Sequence, residues 1–124
     1  MASTQLQVFT KTFRASADLS AKQFFAVKLS ASVDEDVALA GAGEGVGVLI
    51  NTPADNELAD VVLFGGAKAK LAGTVSSGDF LKVDSDGKFV AAASDKNYYV
   101  ARALQAGVAG DIIEVFVCPG FLAA

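Results

Sequence analysis

The chain has no histidine and no tryptophan, a single cysteine, a single methionine and two prolines. Each shortage removes a class of chemistry. Without His there is no Ser-His or Cys-His nucleophile pair, no imidazole metal ligand and no His proton shuttle near neutral pH. A lone Cys118 closes no internal disulfide and builds no thiolate-rich zinc site. It ends the apolar run Val115-Phe116-Val117-Cys118, where a thiol behaves as a small buried hydrophobe. Positive charge is sparse too: ten Lys and Arg against fourteen Asp and Glu leave a net charge of −4. The Lys residues stand singly, so the cationic footprint that nucleic acid requires is missing. No run approaches the roughly 18 apolar residues of a membrane helix, and no charged-then-apolar leader opens the chain. The expectation is a protein made and kept in the cytosol, or packaged from it, with neither nucleic acid nor membrane as partner.

What is abundant is apolar. Some 52% of the 124 residues are hydrophobic, nine of them Phe, which is enough for one domain with a core of modest side chains and aromatic anchors. Two stretches echo each other. Gly45-Val46-Gly47-Val48-Leu49-Ile50 leads through a polar turn to Val61-Val62-Leu63-Phe64. About 55 residues later, Val100–Leu104 leads through Gly107 and Gly110-Asp111 to Ile112–Val117, the mark of a repeated strand-turn-strand unit. Other strands are predicted where Phe25, Val27 and Leu29 alternate with polar or small residues, and at Val37–Leu39, Phe80–Val83 and Phe89–Ala92. Asp34-Glu35-Asp36, Thr52–Asn56, Gly65-Gly66 and Asp84-Ser85-Asp86-Gly87 read as turns. Arg14–Lys22 reads either as a turn of helix capped at Ser16 or as a plain loop. The fold class is all-β: a small β-sandwich or barrel of about ten short strands from two similar halves, spanning residues 14–124.

No constellation points to catalysis, a cofactor or a metal. Gly41–Gly47 misses the dinucleotide spacing, lacks a following Lys-Ser/Thr and opens a strand, so it is a tight turn. Asp84–Gly87 begins like a calcium loop but has no Glu at the required distance. Asp34-Glu35-Asp36 is a solvated loop. Glu114 sits in an apolar strand; either its face looks outward or it needs a partner such as Arg102.

Residues 1–13 read as an extended N-terminal arm, with Leu6, Val8, Phe9 and Phe13 interleaved among polar residues. Burying four such side chains falls short of the cost of fixing the backbone that carries them. An arm of this kind therefore calls for a ladder of hydrogen bonds from a second chain. Phe121 and Leu122 near the C-terminus offer a second tether. The other reading is that both ends pack on their own domain.

An ordered set of short motifs carries a family likeness: Val46-Gly47-Val48-Leu49, then Gly78-Asp79 before Phe80-Leu81-Lys82-Val83-Asp84, then Asp86-Gly87-Lys88. Ala101–Ala106 followed by Gly110-Asp111-Ile112-Ile113-Glu114-Val115 completes it. With these the chain resembles the small capsid decoration, or cement, proteins of tailed bacteriophages, including the group long catalogued as a domain of unknown function in phage head gene clusters. The turn Thr52–Asp60 departs from the family's small Gly-containing loop. The resemblance implies a non-enzymatic virion protein, made in the host cytoplasm and placed on the outer capsid surface. It also implies a homotrimer that clamps subunits of the major capsid protein with the N-terminal segment. The rival expectation is a glycan- or small-molecule-binding β-domain of a virion spike or fibre, with Tyr98 and Tyr99 as a stacking platform.

Overall fold

Apolar and β-branched runs punctuated by turn residues become strands here, as the alternation predicts. The computed structural model describes residues 8–92 and 97–122, and contains no helix among them. Its nine strands are β1 (Phe9–Ala15), β2 (Ala26–Leu29), β3 (Asp36–Leu39), β4 (Gly47–Leu49), β5 (Leu58–Lys70), β6 (Phe80–Val83), β7 (Phe89–Ala91), β8 (Asn97–Ala103) and β9 (Ile112–Leu122). They hydrogen-bond in the order β1-β3-β2-β4-β5-β9-β8-β6-β7, and β1 also pairs with β5. That extra pairing closes the first five strands into a barrel, which removes its free edges.

The second half repeats the first, pairing by pairing. β5 is long because it serves both: its first part ends the first half and its last part begins the second. β1 is antiparallel to β5 and parallel to β3; the end of β5 is antiparallel to β9 and, through a bridge from Leu71 to Phe89, parallel to β7. The register Val48↔Val62 and Leu49↔Val61 recurs as Arg102↔Phe116 and Ala103↔Val115. Single hydrogen bonds recur as well. Phe24 N–H donates to Leu49 O at 2.7 Å as Gly78 N–H does to Ala103 O at 2.8 Å. Asp60 N–H donates to Asn51 Oδ1 at 3.1 Å as Glu114 N–H does to Gln105 Oε1 at 2.9 Å. Even the left-handed turn positions match. Phe24, Glu35 and Asn56, with φ of 71°, 60° and 70°, stand where the second half has Gly78, Gly87 and Gly110. The repeat seen in the two apolar hairpins is thus one part of a duplication that spans the domain.

Each half has its own core. Phe13, Ala15, Val27, Val37, Leu49, Ala59 and Val61 fill the first barrel. Their counterparts Ala69, Leu71, Leu81, Phe89, Ala103, Ile113 and Val115 fill the second half. The halves meet where the outer face of β2, β4 and β5 (Ala26, Val48, Val62) joins the second core beside Val83, Val100 and Val117.

Four expectations need correction. Gly65-Gly66 is no turn: β5 runs straight through it, with Gly65 at φ 116°. Of the two readings of residues 14–22, the capped helix fails and the loop holds only from Ser16 on, because β1 runs to Ala15 and bends and turns follow. Asp36 is not solvated loop but the first residue of β3, 4% exposed, where it accepts from Arg14 Nε at 3.1 Å and Arg14 Nη2 at 3.0 Å. Lastly, the arm boundary at residue 13 falls inside β1. Thr10 to Phe13 are paired with β5 of their own chain, so the ladder that the sequence argument sought in another subunit is internal. The Gly41–Gly47 turn is self-capped, with Glu44 Oε1 accepting from Gly41 N–H at 2.8 Å.

Candidate interaction surface

β1 sorts the arm residues into two fates. Phe13, 7% exposed, is core and unable to touch a partner without unfolding. Val8 and Phe9 are exposed, the latter at 63%. A bulge lies between Phe9 and Thr10, opposite the extra residue Leu63. Bulges bend a strand and re-aim its side chains, and here Phe9 lies opposite Phe64. Phe64 is also exposed and meets the ring of Phe116 edge-on, centroids 5.1 Å apart. Phe9, Phe64 and Phe116 therefore mark an outward aromatic patch where β1, β5 and β9 adjoin, with the exposed Val8 preceding Phe9 in the chain. Beside it lies a shallow groove of about 220 Å³ lined by Gly66, Ala67, Lys68 and Glu114. Leu6 lies outside the described residues.

Sequence reading missed Phe64 and Phe116, which look like core within apolar runs. The signal for Phe116 was present in β9: Ile112, Glu114 and Phe116 share one face by strand alternation, and an unpaired Glu114 belongs outside. Glu114 is indeed exposed, and Arg102 is not its partner. Arg102 Nε donates to Gly78 O at 3.0 Å and the guanidinium lies 4.8 Å from the Phe80 ring centroid. At the other end, the Phe121 and Leu122 backbones pair with Tyr98 and Asn97 of β8 in the same chain.

The tyrosines are not an open platform. Tyr98 is half-buried, its hydroxyl donates to Gly45 O at 3.0 Å, and burial raises its pKa. Tyr99 stacks against Phe80 at 4.5 Å. Cys118 is half-buried; burial pushes its thiol up, partly opposed by the Arg102 charge. A raised pKa means less thiolate at neutral pH, so iodoacetamide at pH 7.5 should alkylate the native protein more slowly than the unfolded chain. The gap should narrow as pH rises toward the native pKa. Equal rates at pH 7.5 would refute this placement. Among the described residues no three His, Cys, Asp or Glu side chains gather as metal ligands. What the patch around Phe64 offers is apolar contact.

No protein-family model matches the sequence, and no curated protein matches it. Solved structures do. The chain is similar to the head fiber gp8.5 N base of bacteriophage phi29, with a TM-score of 0.72 over 95% of this chain and 100% of that one. The fold is shared over nearly the whole of both chains. Identity is 15%, so the likeness is one of architecture.

Proposed function

We propose that this chain is a structural protein of a phage virion that binds the outer surface of the head. The observation that carries the reading is the structural match, over 95% of this chain, to the N base of a phage head fiber. The family likeness of the β-hairpin motifs supports it independently. In this reading the protein catalyses nothing. It acts as a decoration protein that clamps neighbouring subunits of the major capsid protein, with Val8 and Phe9 from the N-terminal segment and Phe64 opposite Phe9 making the contact. Phe121 and Leu122 provide the second tether. Three copies acting together gain avidity beyond that of any one contact. An acidic protein suits the outside of the shell, away from the genome, with no nucleic acid or membrane as partner.

A second reading, favoured by the same neighbour, makes the domain the foot of a head fibre, with a host-surface glycan as the distal ligand. Mixing purified protein with undecorated capsids tests both. Saturable binding at a fixed ratio to the major capsid protein is expected, and Phe9→Ser with Phe64→Ser should abolish it without lowering the melting temperature. No binding by the unmodified protein would overturn the proposal; glycan binding without capsid binding would favour a host-directed role.

A further inference from the structure

The duplication shows what one half of this fold does with the outer face of another. In the first half, Ala26, Val48 and Val62 form a row across β2, β4 and β5. They are 0%, 0% and 2% exposed. They are covered by the end of the second half. Gly43 N–H donates to Val83 O at 3.1 Å and Ala26 N–H to Gly87 O at 2.8 Å. A Cβ on Gly45 would lie 3.2 Å from both Val83 and Val100. The β6–β7 hairpin and the start of β8 thus sit on the outside of the first barrel.

The equivalent row of the second half is Phe80, Arg102 and Phe116, joined by the same cross-strand register. Arg102 is exposed and Phe116 is 36% exposed. Leu104, the counterpart of the half-buried Ile50, is 54% exposed. Aromatic residues with an Arg laid across them are the composition of interface hot spots. Arg102 makes no ion pair among the described residues.

The complementary end exists on the same molecule. The β2–β3 hairpin is the counterpart of β6–β7, and among the described residues its tip is left exposed. Leu29, which matches the buried Val83, is 52% exposed, and Val33 is 44% exposed. Asp34 sits exposed at this tip and supplies the negative charge that Arg102 lacks, while Glu35 beside it accepts from Lys11 Nζ at 3.2 Å.

We infer that the Phe80-Arg102-Phe116 face of one copy receives the β2–β3 end of a second copy, repeating between molecules the contact that joins the two halves within one. Such an interface is heterologous, using two different patches, and closes into a ring when the rotation permits. It gives a structural route to the self-association proposed above and does not depend on capsid binding, so either can fail alone.

Sedimentation velocity on the full chain tests it. The unmodified protein should form a discrete oligomer. Leu29→Arg blocks one patch and Arg102→Glu the other; each exposed change should leave the circular dichroism spectrum intact while weakening association about 30-fold or more, the loss of a hot spot. Mixed in equal amounts, the two variants should form a heterodimer and nothing larger, because only one productive pair of patches remains. A monomeric unmodified protein would overturn the inference, assigning the face to a different partner. So would variants that keep the full oligomer, or a mixture that yields no heterodimer.

Discussion

A chain lacking residues 1–15 should fail to fold. β1 is paired with β5 at six positions, from Phe9↔Phe64 to Arg14↔Leu58, and with β3 at two. Its removal opens the first barrel along both neighbours and uncovers a core that includes Val37, Leu49 and Val61. Losing Phe13 alone is worth about 3–5 kcal/mol, the usual cost of truncating a buried Phe. The lost ladder and Ala15 come on top. The deletion also takes away Arg14, leaving the buried Asp36 carboxylate without either guanidinium hydrogen bond. Together these losses reach the roughly 5–15 kcal/mol that holds a domain of this kind folded. Far-UV circular dichroism with thermal melting measures the outcome. A cooperative melt from the chain lacking residues 1–15 would mean that β1 is an appendage after all.

The misplaced arm shows what a strand pattern leaves out. Alternation at Leu6 to Phe13 says that the segment pairs with something; it does not say whether the partner lies in the same chain, because hydrogen-bonded ladders carry no side-chain signature. The hairpins β4–β5 and β8–β9 were legible because each keeps apolar residues on the inward face across a turn. The wider duplication was hidden at its turns. Gly78, Gly87 and Gly110 announce left-handed positions, whereas Phe24, Glu35 and Asn56 adopt the same conformation without advertising it. Core positions diverge equally freely: Val37 matches Phe89, and Ala15 matches Leu71, since an interior asks for volume and not for a particular residue. The interaction surface was legible only in part. Val8 and Phe9 were named, and Phe116 follows from Glu114. Phe64 could not be found from sequence, because its near neighbour Val62 is also outward-facing and yet buried by the second half.

Gly47→Ala should destabilise the fold by about 3 kcal/mol or more, at the upper end of what overpacking costs, while Gly66→Ala should stabilise it by about 0.5 kcal/mol. Both glycines lie in strands, and neither has a left-handed φ, so conformational preference does not separate them. Space does. A Cβ on Gly47 would stand 2.2 Å from the Val62 carbonyl oxygen and 2.9 Å from Val61 Cγ1, against backbone and a fully buried side chain that have nowhere to go. A Cβ on Gly66 would meet nothing within 4 Å. The duplication sharpens the contrast, because the counterpart of Gly47 in β8 is Ala101, itself fully buried. A methyl group is therefore compatible with this place in the fold; the close approach of β4 to β5 is what forbids it in the first half. The half that must carry the second one on its outer face is packed more tightly at that point than the half whose outer face is open. Urea titration of the two variants reads the difference. Equal stability for Gly47→Ala and the unmodified protein would show that β4 can move outward, and with it the surface on which the second half rests.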